Sequence, residues 1–349
     1  MTPARSSNPV EALKRAIYLL DRGAAPSSKV RAFQRAIDTV AELPDGELED
    51  LAEAGRLESL PNIGSSTGGV IADALAGRPS AYLDRLEAET VVPTGGPDGD
   101  ALLTALRGDC HSHTTWSDGG ASLRDMALTA RSLGREYLVV TDHSPRLTIA
   151  HGLTRERLEA QLDEIAALND ELAPFRILTG IEVDILEDGS LDQDPDLLER
   201  LDVVVASAHS KLRMPREEMT RRLVTAVSNP HVDILGHCTN RKLTGRGRPQ
   251  STFDAEIVFA ACDMFSVAVE INCRPDRLDP PDDLLALAWE YGCWISIDTD
   301  AHAPGQLEWL GHGCAKAATI GVTPDRLVNT MGADDLLAWT AEQGEGVGR

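Results

Sequence analysis

The sequence has no C-x-x-C pair. Its six cysteines, Cys110, Cys238, Cys262, Cys273, Cys293 and Cys314, are scattered through 349 residues. A chain of this length can build a core without disulfides, so the expectation is reduced thiols in a cytoplasmic protein. No apolar run approaches the roughly 18 residues that a membrane span needs. The opening MTPARSSNPVEALKRAIYLL lacks a plain apolar segment followed by a small-residue cleavage site, so neither an anchor nor a signal peptide is expected. Positive charge is also short: 33 Lys and Arg face 56 Asp and Glu, a net charge of −23. That argues against strong non-specific duplex binding, which is driven by counterion release, but leaves room for a local basic site. What is present is ordinary globular composition, 42% hydrophobic and 26% charged, which excludes a mainly disordered chain. At about 150 residues per domain, the length suggests two domains, or one large domain with an appendage.

Apolar spacing divides the chain. In residues 1–88 the pattern is helical: Leu13, Ile17 and Leu20 recur at three- and four-residue intervals, as do Val30, Phe33, Ile37 and Val40. Pro26, Pro44 and Gly46 punctuate these helices. Residues 89–104, beginning ETVVPTGGPDGD, read as a linker. From residue 105 to 340, β-rich runs alternate with amphipathic helices. The expected strands are Arg107–Cys110, Tyr137–Thr141, Arg176–Val183, Asp202–Ala208, Val232–Gly236, Val267–Ile271 and Trp294–Asp298. Helices are expected at Leu123–Leu133, Arg155–Leu172, Arg216–Val227, Ala255–Met264 and Asp282–Tyr291. Such alternation implies parallel β-α units in a barrel or open sheet. Residues 341–349 are Gly-rich and expected to fray.

Histidine carries the chemistry. His111 and His113 follow the first strand, and His143, His209, His237 and His302 each stand at or just past a later one. Glu182 occupies the matching place in Thr-Gly-Ile-Glu-Val-Asp, and Asp300 lies two residues before His302. In a parallel barrel all strand C-termini open on one face, so these side chains are aimed at one pocket. Imidazole suits Zn, Mn or Fe, and carboxylates can bridge cations. The alternation of side chains along extended backbone puts His111 and His113 on one side, and likewise Asp300 and His302. Polynuclear metal binding is the expectation. Asp118 lies five residues after His113 in a loop led over the pocket and joins the expected ligands. Asp109 and Asp142 are either orienters of ligand histidines or ordinary cap and turn residues. His151, His231 and His312 receive no role.

The set His111-Ser-His113, Thr-Asp-His143, Gly-Ile-Glu182, Ala-His209-Ser, Gly-His237 and Asp300-Ala-His302 resembles the PHP (polymerase and histidinol phosphatase) superfamily, over roughly Arg107 to Met331. The stretches Ser-Ala-His-Ser-Lys-Leu, Asp-Ile-Leu-Gly-His and Glu270-Ile-Asn-Cys-Arg-Pro-Asp-Arg-Leu-Asp are similar to the PHP domain fused to bacterial family-X DNA polymerases. The resemblance implies an α/β fold, a distorted (β/α)7 TIM-like barrel, with three divalent metal ions (Zn, Mn or Fe). One metal would be held by His111, His113, Glu182 and Asp300. A second, bridged by Glu182, would take His209 and His237, and a third Asp118, His143 and His302. Residues 1–88 resemble the small all-α helix-hairpin-helix domain of the same polymerases. In Leu-Pro-Asn-Ile-Gly64, Asn62 stands where Gly is common, and Asn tolerates left-handed backbone. Amides around Asn62 and Gly64 could hold a DNA phosphate, although Met1–Asp100 has only ten Lys and Arg against sixteen Asp and Glu. No segment is left for a polymerase palm, so nucleotidyl transfer is not expected.

The implied reaction is attack of a metal-bound hydroxide on phosphorus, with no further catalytic side chain. Cationic donors for the phosphate follow three strand ends: Lys211 and Arg213, then Arg241, Arg246 and Arg248, then Arg274 and Arg277. The resemblance implies a metal-dependent hydrolase, a phosphoesterase processing DNA ends or nucleotides, in particular a 3′–5′ exonuclease. The alternatives are a small-molecule phosphomonoesterase of the histidinol-phosphatase type and a non-catalytic DNA-binding module. No membrane partner is expected.

Overall fold

A computed structural model of the protein describes residues 8–346. The chain forms two compact units, divided between Val92 and Pro93. The first holds α1 (Pro9–Arg22), α2 (Ser27–Ala41), α3 (Glu47–Glu53), α4 (Ser65–Leu75) and α5 (Ala81–Glu89). Asn8 starts α1 by accepting from the amides of Val10 and Glu11 at 2.9 and 3.3 Å, satisfying donors that the first turn leaves free. Leu13, Leu20 and Phe33 of the expected stripes are buried together with Leu19, Val70 and Ile71, while Ile17, Val30, Ile37 and Val40 pack at the margin. Between α3 and α4 the chain turns through Asn62, which takes the left-handed conformation (φ 62°). Its amide donates to Thr39 Oγ1 at 3.2 Å.

The second unit opens with α6 (Pro97–Ala105), inside the segment expected to be a linker. The Pro/Gly/Asp composition that suggests a connector also makes a helix start: Pro97 sits in the first turn with Asp98 and Asp100. Gly99 is required there, because a Cβ would fall 1.6 Å from the Thr94 carbonyl oxygen. The barrel strands follow: β1 (Gly108–Asp109), β2 (Tyr137–Val140), β3 (Arg176–Asp184), β4 (Val203–Ser207), β5 (Ile234–Leu235), β6 (Ala268–Asn272) and β7 (Ile295–Asp298). All six pairings are parallel and the order is sequential. Helices α7 (Leu123–Ser132), α8 (Arg155–Leu172), α9 (Pro195–Leu198), α10 (Arg216–Val227), α11 (Ala255–Met264), α12 (Asp282–Glu290), α13 (Leu310–Ile320) and α14 (Ala333–Gly346) complete the unit. Helix α14 takes in residues 341–346, expected to fray; its Asp334 and Asp335 favour the first turn. Residues 347–349 lie outside the described residues.

Alternation sorts the strand residues. Leu138, Val140 and Ile177 face α7 and α8, while Tyr137, Val139, Leu178, Val203, Val205, Ile234 and Ala268 form a separate apolar cluster inside. The inward parity of Leu178 continues through Gly180 to Glu182. At Gly180 a Cβ would meet the Val203 carbonyl oxygen at 2.7 Å.

The barrel nearly closes between β7 and β1. Ser112 bridges Ala301 in parallel register, and the His113 amide donates to the Ala301 carbonyl at 2.8 Å. Lower in the seam, side chains replace main-chain pairing: the Cys110 amide donates to Asp298 Oδ1 at 2.8 Å and the Thr299 amide to Asp109 Oδ1 at 3.2 Å. This substitution keeps β1 short while leaving its buried donors paired. All six cysteines are buried and free. Among the described residues no helix is long and apolar enough to cross a membrane.

Candidate metal centre

Every barrel strand except β6 delivers an expected ligand to the same end. Glu182, 1% exposed, is the hub. Its Oε2 lies 2.8 Å from His143 Nδ1, 3.5 Å from His111 Nε2 and 3.6 Å from His113 Nε2. Its Oε1 lies 2.9 Å from His237 Nε2 and 3.2 Å from His209 Nε2. Asp300 Oδ1 is 3.4 Å from His113 Nε2 and 3.5 Å from His302 Nδ1. Asp118 Oδ1 lies 3.4 Å from both His143 Nε2 and His302 Nε2. The structure therefore gathers all nine expected ligand residues.

Potential donor atoms of seven of them form three overlapping groups, each within 4.8 Å: His113, Asp118, His143 and His302; His111, His113 and Glu182; His143, Glu182 and His209; His237 and Asp300 stand outside these groups. His113 and His143 stand at junctions between groups, whereas the resemblance implied one metal for each. Two expected ligand positions, His237 (φ 21°) and Asp300 (φ 51°), hold left-handed backbone, a strain typical of functional sites.

The donor set fits divalent cations on its own chemistry. His111 Nε2, both ring nitrogens of His113 and His143 Nδ1 are buried without a hydrogen-bond partner. An orphaned buried polar atom costs about 1–3 kcal/mol, and three of these, His111 Nε2, His113 Nε2 and His143 Nδ1, converge on Glu182 Oε2. Imidazole nitrogens and carboxylate oxygens in one dry cluster are ligands for borderline divalent ions.

Charge within the cluster is compensated by proximity. Burial alone would raise the Glu182 carboxyl, but His209, His111 and His143 outweigh it and hold it well below the usual carboxylate range. Burial likewise opposes ionisation of Asp300, and Arg274 and Arg277 overcome it. His113 is pushed well below the ordinary imidazole value by burial, then by His302 and His143. Burial and Arg277 bring His237 down to about 3.

Several residues that hold the ligands carry no ligand role in the sequence reading. Glu270, fully buried, meets His111 Nδ1 at 2.6 Å. Asp184 Oδ1 accepts from the His209 amide at 3.0 Å and lies 3.4 Å from its Nδ1. Asp142 accepts from Thr114 N at 2.8 Å, Thr114 Oγ1 at 2.7 Å and Gln161 Nε2 at 2.6 Å, pinning the loop that carries Asp118. Asp109 serves the seam. The available signal was parity: Glu270 and Asn272 are inward polar residues in an otherwise apolar strand, and Asp184 shares Glu182's face. His151, His231 and His312 make no contact with the cluster among the described residues.

The expected phosphate donors separate by position. Arg274 Nη1 is 3.6 Å from Asp300 Oδ1 and Arg277 Nη1 is 3.5 Å from Asp300 Oδ2, so both border the centre. Arg241 is committed to main chain, with Nε donating to the Arg277 carbonyl at 2.9 Å and Nη2 to that of Leu278. Arg248 Nε donates to the Asn240 carbonyl at 2.7 Å. These two arginines shape their loop, a short antiparallel bridge of Lys242 with Arg248, because buried carbonyls compete for their donors. Lys211, Arg213 and Arg246 are exposed on loops, and Lys211 Nζ lies 3.8 Å from Glu187 Oε1. A cavity of about 420 Å³ adjoins His209 and Ser210, bordered by Arg146, Asp184, Glu187 and Asp188.

Comparison with known proteins finds one domain family and several relatives. Residues 109–272 match the PHP domain family; the remaining expected ligands, Asp300 and His302, lie beyond that stretch and are brought in by β7. The DNA polymerase/3′-5′ exonuclease PolX of Bacillus subtilis (strain 168) is 41% identical over 237 residues, covering 68% of this chain and 41% of that protein. The chain thus spans less than half of that relative. A protein named probable phosphatase from Thermoanaerobacter sp. (strain X514) is 28% identical over 233 residues, 64% of this chain and 89% of its own. The crystal structure of histidinol phosphate phosphatase from Lactococcus lactis subsp. lactis, complexed with zinc, L-histidinol and phosphate, aligns with a TM-score of 0.43 at 19% identity, over 61% of this chain and 92% of that one.

The barrel unit carries a PHP domain.

Proposed function

We propose that this protein hydrolyses phosphate esters at nucleic-acid ends, as a 3′–5′ exonuclease, with three divalent ions held by His111, His113, Asp118, His143, Glu182, His209, His237, Asp300 and His302. Such cations lower the pKa of bound water and offset charge on phosphoryl oxygens. The chain's own residues do the rest. Arg274 and Arg277 border Asp300 and are placed to orient the phosphate beside the centre. Glu182 and Asp300 hold the carboxylate face in its ionised form.

The observation that carries the choice of substrate is the exposed rim beyond that inner pair. Arg246 stands at the tip of the Lys242–Arg248 hairpin, and Lys211 and Arg213 leave β4 on the same face. A single phosphate needs none of these outer cations; an extended polyanion meets them in turn. Leu243, 54% exposed on the hairpin, adds an apolar surface of the sort on which a base packs. The likeness to PolX supports the same reading.

In the helical unit the Gly64 amide is taken by Thr67 Oγ1 at 2.9 Å. A DNA phosphate at the Asn62–Gly64 turn would therefore fall to the amides of Ser65 and Ser66, at the start of α4. The second reading, a small phosphomonoesterase, draws on the 420 Å³ cavity beside His209, which suits a compact organic group.

The test is to load the protein with Mn or Zn and offer end-labelled single- and double-stranded DNA beside histidinol phosphate and a generic phosphomonoester. Stepwise release of nucleotides from the 3′ end is expected. Phosphate release from small esters alone would replace the first reading by the second. DNA retention without turnover by a fully metallated protein would point to a binding module.

A further inference from the structure

β6 differs from the six other strands: it ends without a candidate ligand, yet its two inward polar side chains reach candidate ligands from three other strands. Glu270 Oε1 meets His111 Nδ1 at 2.6 Å, and its Oε2 accepts from the His237 amide at 2.5 Å. Two residues on, Asn272 Nδ2 donates to Asp300 Oδ2 at 3.1 Å and to Glu270 Oε2 at 3.3 Å. Both residues are fully buried, so solvent cannot substitute for either partner.

Each contact has one consequence for the ligand it touches. A carboxylate at His111 Nδ1 requires the proton on that nitrogen. The lone pair then lies on Nε2, the atom that faces Glu182 and has no hydrogen-bond partner. The bond to the His237 amide holds that residue at φ 21°, where a side chain is disfavoured, and its Nε2 lies 2.9 Å from Glu182 Oε1. The Asn272 amide occupies one oxygen of Asp300 and leaves Oδ1 facing His113 Nε2 at 3.4 Å.

We infer that Glu270 and Asn272 are positioning residues that set the tautomer of His111, the backbone of His237 and the rotamer of Asp300, and so determine how tightly the centre keeps its cations. This rests on the reading of the cluster as a metal centre, not on which ester is hydrolysed. Partners of this kind orient ligating histidines and carboxylates, and their loss typically costs 10–100-fold in metal affinity.

The experiment measures metal binding directly. Full-length wild-type protein, Glu270→Gln and Asn272→Ser are stripped with chelator, titrated with Zn and analysed for bound metal, and the cobalt(II) absorption spectrum of each is recorded. Glu270→Gln keeps shape but opposes an amide N–H to either the His111 ring or the His237 amide. It is expected to weaken Zn binding by about 10–100-fold and to change the cobalt spectrum. Asn272→Ser is expected to weaken binding less, since Asp300 and Glu270 each lose one donor while Glu270 keeps its contacts with His111 and the His237 amide. Circular dichroism of the stripped proteins separates positioning from folding. If Glu270→Gln fails to fold, Asn272→Ser decides: wild-type affinity and spectrum in that variant overturn the inference. Wild-type Zn affinity in folded Glu270→Gln also overturns it. Failure of the metal-centre reading looks different, because wild-type protein itself would then bind no Zn. Inactivity of a Zn-loaded wild type towards every ester would leave these affinities readable.

Discussion

Replacing Glu182 by Gln removes one charge without changing shape, at the point where five imidazoles meet two carboxylate oxygens. Unit charges 4 Å apart at an effective dielectric of 20 interact by about 4 kcal/mol, so a divalent ion at that distance gains about 8 kcal/mol from the carboxylate. The glutamine amide oxygen remains a ligand, and the variant no longer buries a charge; together these return roughly half. The expected net loss is about 3–4 kcal/mol, on the order of 10²–10³ in affinity for the ions that Glu182 touches. The assay is metal content after dialysis against a graded chelator, read beside hydrolysis of a generic phosphoester. Glu182→Gln is expected to lose metal first from the His111/His113 and His143/His209 groups and to lose turnover with it. A fully metallated, fully active Glu182→Gln protein would refute the assignment of Glu182 as the hub.

Arg277→Met tests the inner cation pair: Arg277 Nη1 pairs with Asp300 Oδ2 at 3.5 Å but makes no hydrogen bond, which leaves it able to donate to a phosphoryl oxygen. A fall of about 10–100-fold in kcat is expected if it meets the transition state; a change confined to KM would reduce it to uniform binding. Asn329→Ala should destabilise the barrel seam by about 2–3 kcal/mol in denaturant unfolding, since the fully buried Asn329 pairs Ile297 N at 2.7 Å and Asp298 Oδ1 at 2.9 Å; an unchanged midpoint would contradict it. Burial raises Asp21 from 3.8 to about 7, so the folded state holds its proton more tightly than the unfolded one. The resulting penalty is absent below the unfolded value, grows as pH rises from about 4 to 7 and is complete above. Asp21→Asn should therefore match wild type in thermal stability at pH 4 and exceed it at pH 8, by about 1–2 kcal/mol after allowance for partial solvent access. The same gain at both pH values would show that Asp21 is not the source. Finally, if DNA is held by the five cations Lys211, Arg213, Arg246, Arg274 and Arg277, single-strand affinity should fall with log salt at a slope of about −3.5. A slope near −7 would require a phosphate-binding surface elsewhere.

Much of the barrel could be read without coordinates, because its elements announce themselves locally. Tyr-Leu-Val-Val and Val-Val-Val-Ala-Ser are short apolar runs that only a buried parallel strand accommodates. Arg155–Leu172, Arg216–Val227 and Ala255–Met264 lie where their periodicity puts them. The candidate ligands were legible for a related reason: all but Asp118 end or closely follow a strand, and parallel topology turns six distant strand ends into one pocket. Partnerships were harder to read. Glu270 reaches His111 across 159 residues of sequence, and nothing near either residue signals the pairing. Arg241 and Arg248 looked like free cations because sequence shows charge but not the carbonyls that capture it. Helix α6 was hidden by composition: Pro97 and Gly99 suggest a linker, whereas Pro at a helix start and Gly at a close approach support this helix.

The acidity of the chain, which argues against a polyanionic substrate, is reversed where the chemistry would occur. Asp118, Glu182 and Asp300 bring three negative charges to the cluster, and Arg274 and Arg277 bring two positive ones to its edge. Without cations, the imidazoles of His209, His111 and His143 offset the charge of Glu182, and loading exchanges their protons for metal. The proposed three divalent ions contribute six positive charges against three carboxylates, so the loaded pocket becomes strongly attractive before either arginine is counted. Cation loading and binding of the proposed ester then favour one another, since each offsets the other's charge. A net charge of −23 draws divalent ions towards the protein and disfavours polyanions over its surface at large.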